Sequence, residues 1–271
     1  MNTVEKWIPD DVAMDRPNPA RIYDYDLGGH HNFEIDRIVA EKVNEICPDM
    51  VLNAHANRAF LRRVVRFLAA QGVEQFLDVG SGLPTVGNVH EVAQAANPAA
   101  RVVYVDIDPV AVAHSIAILA GNPNATAIEA DARHPHQILD HPAVRNLLDF
   151  SRPMGILFLA MLHYLVDDKE AYSAVRTLRD AAAPGSYVAV SHLSYDGTPR
   201  EIVARMDQLA ARSSISPRAR SRAEILPFFD GLAWVEPGLV RPPLWRPEGP
   251  DDVFLDSPER VLGWGGVGRK P

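Results

Sequence analysis

The run Phe76-Leu77-Asp78-Val79-Gly80-Ser81-Gly82-Leu83-Pro84 joins an apolar strand to a turn built on two glycines. Glycine lets a backbone turn sharply and approach a ligand with no Cβ in the way. In a doubly wound α/β sheet, such a turn lies at the carboxyl ends of the strands, where ligands bind. Two more acids follow at matching places. Asp106 ends the next apolar run, where a carboxylate can accept hydrogen bonds from both hydroxyls of a ribose. Asp131 follows the run after that, where a carboxylate can accept from an adenine amino group. A Gly-x-Gly turn or a strand-end acid taken alone is ordinary loop chemistry. Three acids and a glycine turn, in chain order along one sheet edge, describe a pocket for an adenosine.

Other residues have proton chemistry. His163 and His192 each follow an apolar strand candidate and are the candidate general bases, because imidazole titrates near neutral pH. The plainer alternative for each is a helix cap or a satisfied loop histidine. Arg21 to Phe33 crowds Tyr23, Tyr25, His30 and His31 around Gly28-Gly29. It reads either as an aromatic-packed turn or as a lid over the cleft, with Arg21 free to pair a carboxylate. His134, His136 and His141 lie among prolines with no cysteine near, so no metal site is expected.

The elements that must position these residues follow from hydrophobic spacing. Residues 1–20 carry Pro9, Pro17 and Pro19 and read as irregular. Helices are predicted over Glu34–Ile46 and from Asp49 to about Ala70, with Gly72 closing the second. From Val73 the pattern becomes short apolar runs alternating with helical segments. Strands are predicted at Gln75–Val79, Arg101–Asp106, Ala125–Ala130, Met154–Ala160 and Ser186–Ser191, and helices at Val86–Ala96, Pro109–Ala120, His136–Leu148 and Asp168–Ala182. That alternation implies a buried, mostly parallel sheet. Beyond it come a helix over Pro199–Arg212 and a second over Arg222–Phe229, capped by Ser221 with Glu224. Two late antiparallel strands, Leu232–Pro237 and Val261–Gly268, flank a loop from Arg241 to Pro258.

Composition bounds the function classes. The chain has 271 residues, enough for a sizeable core. A net charge of -8 argues against broad nucleic-acid or anionic-membrane binding. Arg58, Arg62, Arg63 and Arg66 form one possible local basic patch. Cys47 is the lone cysteine, so no intrachain disulfide forms. No signal-like start is expected, and no apolar stretch approaches the ~18 residues a membrane helix needs. The expected compartment is the cytoplasm. Oligomeric state is not readable from the sequence.

With these residues in view, a family resemblance is clear. Asp78-x-Gly80-x-Gly82, Asp106 ending strand two and Asp131 after strand three resemble the class I S-adenosylmethionine (SAM)-dependent methyltransferases, over about Val73 to the C-terminus. The run Pro17-Asn18-Pro19-Ala20-Arg21-Ile22-Tyr23-Asp24-Tyr25, followed by Leu27-Gly28-Gly29, Asn32-Phe33 and Asp36, resembles the actinobacterial S-adenosyl methyltransferases formerly filed as a domain of unknown function. With it, the resemblance spans nearly the whole chain. It implies a Rossmann-like, doubly wound, mostly parallel sheet with a late antiparallel strand. Residues 1–72 would form an N-terminal helical cap and 73–271 the SAM-binding core, within one domain. Asp78, Gly80, Ser81 and Gly82 would line the methionine end of SAM, and Asp106 would hold the ribose with Ile107 beside the adenine. Asp131 and the Ala132 backbone would read the adenine edge, and Ala160 would sit near the methionine moiety. Pro84 stands where many relatives have a third glycine.

The expected function is methyl transfer from SAM to a small-molecule acceptor. Two alternatives stand beside it, a non-catalytic SAM-binding regulator and an NAD-type oxidoreductase. The dinucleotide turn needs a third glycine where this chain has Thr85.

Overall fold

The protein is described by a computed structural model over residues 16–84, 87–249 and 252–271. Three helices come first: α1 (Pro19–Asp26), α2 (Glu34–Ile46) and α3 (Met50–Ala70). α1 replaces the irregular segment and the turn expected before Leu27. Asn18 caps it by accepting the Ala20 N–H at 2.8 Å, and Pro19 fits the first turn, where its missing N–H costs nothing. The rest of the expected irregular start, residues 1–15, lies outside the described residues.

The alternation then unfolds as β1 (Gln75–Val79), α4 (Val89–Ala96), β2 (Arg101–Asp106), α5 (Pro109–Ile118) and β3 (Ala125–Glu129). It continues with α6 (Pro135–Asp140), α7 (Pro142–Leu147), β4 (Gly155–Leu159), α8 (Asp168–Ala181) and β5 (Tyr187–Leu193). α9 (Arg200–Ala210), α10 (Arg222–Ile225), β6 (Ala233–Trp234) and β7 (Gly263–Arg269) complete the chain. The single helix expected over His136–Leu148 is two, because Pro142 cannot continue α6; instead the His141 ring accepts the Ala143 N–H and starts α7. α4 begins later than expected, and its predicted first residues touch the undescribed pair 85–86. The capping box of Ser221 and Glu224 forms as read.

Among the described residues seven strands form one sheet in the order β3-β2-β1-β4-β5-β7-β6. β1 to β5 pair in parallel, and β7 runs antiparallel against β5 and β6. β1 and β4 are buried along their whole length because helices cover both faces. On one face Phe60, Val64 and Leu68 of α3, with Val89 and Ala93 of α4, pack on Phe76, Val102 and Leu157. On the other, Ile138, Val144, Ala174 and Leu178 pack on Leu77, Val103 and Ile156. α3 is thus one of the sheet-covering helices, and the expected division after residue 72 runs between it and the strand it packs against.

The segment after β6 is pinned back onto α3. The Arg63 guanidinium donates to the Trp245 carbonyl at 2.9 Å and the Pro242 carbonyl at 2.8 Å, and pairs with Asp252 at 3.3 Å. Arg66 pairs with Glu248 at 2.5 Å. Arg63 is therefore an internal anchor, and Arg66 is half of an exposed ion pair, rather than members of one free basic patch. Trp245 is fully buried, edge-on to Phe60 and Phe67 at 5.5 and 5.7 Å. Trp245→Ala is expected to cost about 3–5 kcal/mol of stability in urea unfolding, the range for a buried ring leaving a cavity; a loss under about 1 kcal/mol would show that this anchor is dispensable.

Candidate functional site

The turn after β1 and the end of β2 form one hydrogen-bonded unit. Gly80 and Gly82 take left-handed backbone angles, φ +71° and +65°, which glycine adopts without strain. The N–H groups of Gly80 and Ser81 donate to the Val105 carbonyl at 2.8 and 3.1 Å. A Cβ on Gly80 would sit 2.5 Å from that of Met161, so the turn is also pressed against the loop after β4. The Gly82 N–H donates to Asp106 Oδ2 at 2.7 Å, and the Asp108 N–H donates to Oδ1 at 2.9 Å. The Ile107 N–H also bears on this carboxyl, so Asp106 is fixed by backbone while lining the cavity described next.

A cavity of about 320 Å³ opens at this edge. Asp78, Gly80, Ser81, Gly82, Asp106, Ile107, Asp131, Ala132 and Ala160, which the sequence singles out, all line it. Ile107 is 55% exposed there, an apolar side chain left facing open space. Asp131 pairs with Arg133 at 2.5 Å, so it meets the cavity already charge-compensated. Ala160 adopts φ +56°, unusual for a residue with a Cβ, and its N–H is shared between the Ser191 carbonyl and hydroxyl. Strain of this kind collects at functional sites.

A second cavity, of about 190 Å³, adjoins the first. The two share Pro19, Tyr23, Asn57, Ala160 and Tyr164 as their common wall. That wall is wired together: Ser191 Oγ donates to Asn57 Oδ1 at 2.6 Å, Asn57 Nδ2 to the Tyr23 hydroxyl at 2.9 Å, and the Tyr23 hydroxyl to the Ala54 carbonyl at 3.0 Å. Of the residues read as a lid, Tyr23 alone lines either cavity. Tyr25 points outward and donates to Glu41 at 3.2 Å, and His30 is exposed away from both. Arg21 is buried and paired with Asp36 at 3.1 Å, so its fork is spent inside the fold and not on a ligand.

His163 and His192 both line the second cavity, with ring centroids 5.6 Å apart. Their states differ. His192 Nε2 accepts from Arg220 at 2.9 Å, so its Nδ1 donates to the Leu193 carbonyl at 2.8 Å. Burial pushes its pKa down to about 4, with Arg220 adding to the shift. Both its nitrogens are committed, which leaves no lone pair for an acceptor's proton and does not fit the role of a base. His163 keeps a buried Nδ1 with no hydrogen-bond partner among the described residues. Its pKa is held well below the ordinary value by burial and then by His192 and Arg220, so it is a neutral ring offering one open nitrogen.

Three residues at the site carry weight the sequence reading did not give them. Arg58 lines the first cavity with a buried Nε that has no partner among the described residues. It was visible only as one arginine among four on a helix, and spacing cannot say which face meets a cavity. Arg220 is fully buried and holds the Leu162 and Leu165 carbonyls, His192 and Asp168 together; it sits in a loop without pattern. Asp26 lines the second cavity and is hidden in the aromatic run.

Asp78 is 5% exposed in the first cavity. Burial lifts its carboxyl to about 7; the nearby Arg58 opposes the lift and Asp106 adds to it. Asp106 is lifted to about 6, again by burial, against the backbone N–H groups that hold it down. A carboxyl whose folded value exceeds its ordinary 3.8 keeps a proton in the fold that the unfolded chain has lost, so ionising it costs stability as pH rises. Asp78→Asn removes that cost. Its stability advantage over the wild type should grow from about pH 4 to about pH 7 and then level off, read as the difference in Tm across a pH series. A difference independent of pH would contradict the buried-carboxylate reading.

A family model described as S-adenosyl methyltransferase matches residues 5–271. A proposed methyltransferase from Thermobifida fusca has a solved structure with 45% sequence identity and a TM-score of 0.89, covering 98% of this chain and 99% of that one. A DUF574 family protein from Streptomyces avermitilis is 36% identical with a TM-score of 0.90, covering 95% and 99%. No protein with a curated description matches. With the family matched over nearly the whole chain and the sheet of that fold in place, this chain belongs to the S-adenosyl methyltransferase family.

Proposed function

We propose that the larger cavity holds SAM, that the smaller one holds a small-molecule acceptor, and that the protein passes a methyl group between them. The single observation carrying this reading is the common wall of Pro19, Tyr23, Asn57, Ala160 and Tyr164 between the two cavities.

The residues of the larger cavity fit the group. Asp106, held by the backbone N–H groups around it, keeps acceptor capacity for a ribose hydroxyl. Ile107 offers an exposed apolar face to an adenine, and Asp131 beside it can accept from the amino group. Arg58, with its orphaned Nε, matches an amino-acid carboxylate, and the nearby Asp78 matches the ammonium. When bound, SAM supplies a methyl group on a positively charged sulfur.

The chain's own task is then alignment and exclusion of water. Holding two reactants in line contributes about 7–11 kcal/mol to such a transfer without any covalent step by the protein. The Ala160 backbone is fixed in its strained conformation by Ser191, and Tyr23 by Asn57 and Ala54, so the wall between the reactants is rigid. His163 lines the smaller cavity as a neutral ring, which can hydrogen-bond an acceptor group there. The walls there include Val39, Val43, Met50, Met206 and Leu209, which suits a compact apolar molecule.

Calorimetry on the purified protein should show SAM binding and far weaker binding of NAD. Asp106→Ala should weaken SAM by roughly tenfold or more, the worth of hydrogen bonds to a charged group, while thermal unfolding remains cooperative. NAD binding more tightly than SAM, or an Asp106→Ala variant that binds SAM as the wild type does, would overturn the reading.

A further inference from the structure

Among the described residues, Asp26 is the only Asp, Glu, Lys or Arg lining the smaller cavity. It closes α1, is 8% exposed, and takes part in none of the ion pairs among the described residues. Its one hydrogen bond there comes from Asn44 Nδ2, at 3.2 Å to Oδ1. A largely buried carboxylate ordinarily comes with a cationic partner, since an uncompensated charge is costly. The other titratable groups among the described lining residues are Tyr23, Tyr164, Tyr195, His163 and His192, all uncharged at neutral pH. Asp26 also bears on the wall between the two cavities: burial raises the hydroxyl pKa of Tyr23 and Tyr164, and the charge of Asp26 adds to both shifts.

We propose that Asp26 is the specificity-determining residue of the acceptor site and that the acceptor is a lipophilic amine, whose ammonium meets Asp26 while its carbon skeleton lies against Val39, Val43, Met206 and Leu209. This rests on the assignment of the smaller cavity to the acceptor. An anionic acceptor would meet a carboxylate with no lysine or arginine among the described lining residues to offset it. A neutral one would leave Asp26 with the same buried charge it has without ligand. The amine alone gains from the carboxylate and the apolar walls together. Its charge supplies the partner that the fold withholds, and a charge-assisted hydrogen bond results. Burial alone lifts the Asp26 carboxyl to about 6, against the Asn44 bond, so an approaching cation also favours its ionised form.

The test uses the intact protein saturated with S-adenosylhomocysteine, with octylamine, octanol and octanoate as probes of one chain length and three charges. Titration calorimetry should show octylamine binding at least roughly tenfold more tightly than octanol, with octanoate weakest of the three. Asp26→Asn should bring octylamine down to the octanol level while S-adenosylhomocysteine binds as before, which also reports that the variant is folded. Octanol or octanoate equalling octylamine on the wild type would overturn the proposal, whatever the variant does. So would an Asp26→Asn variant that keeps the amine preference. If S-adenosylhomocysteine itself fails to bind the wild type, it is the assignment of the larger cavity that falls.

Discussion

Two neighbouring parallel strands, β1 and β4, send their connections to opposite faces of the sheet: β1 runs on to α4 beside α3, β4 to α8 beside α6 and α7. The chain cannot fill the space between two connections that part in this way, so a crevice opens at the carboxyl edge. Every feature of the site depends on that opening. The glycine turn comes from β1, Ala160 and Met161 from the end of β4, Asp106 from β2 and Ser191 from β5. Because these strands are buried on both sides and held in register, their ends are fixed relative to one another, and the groups at those ends inherit the rigidity.

The N-terminal helices convert an open crevice into two cavities. Two buried carboxylates hold this corner, Asp36 tying α1 to α2 and Asp24 tying α1 to the connection between them. Asp36 accepts from the backbone of Asn18 and Phe33 and pairs with Arg21. Asp24 accepts from the His31 backbone and the Asn32 side chain, against a Gly29 on which no Cβ would fit. The residues that make the N-terminal run so distinctive, Asn18, Arg21, Asp24, Gly29, Asn32, Phe33 and Asp36, thus serve mainly to hold a corner. The corner places Tyr23 in the dividing wall and Asp26 in the smaller cavity. A motif with the look of ligand chemistry supports the site one step back from it.

This explains what was legible in the sequence. The strand-end residues could be read because strand ends are fixed by hydrophobic run length and a sheet edge gathers them: all the residues assigned to the larger cavity do line one cavity. Strand and helix identity came from the same spacing, while boundaries were set locally: caps at Asn18 and Asn88, and Pro142, moved helix ends, the helix expected over Arg222–Phe229 gives way to a 3-10 turn after Ile225, and the strand expected over Leu232–Pro237 shrinks to Ala233–Trp234. Side-chain commitments were not legible. Nothing in the spacing says that Arg21 is used by Asp36, that Tyr25 turns outward to Glu41, or that Arg220, far off in the chain, occupies the lone pair of His192. Nor does helical spacing separate Arg58, which meets the cavity, from Arg63, which anchors a distant loop.

The account depends on the dividing wall being the place where two reactants meet. A crystal structure of the protein with S-adenosylhomocysteine tests this most directly. The ribose should lie on Asp106 and the thioether sulfur beside Ala160 and Tyr23, turned toward the smaller cavity. A sulfur facing away from that cavity, or sealed from it by protein, would contradict the account, as would an adenosine bound anywhere other than the edge formed by Asp78, Asp106 and Asp131.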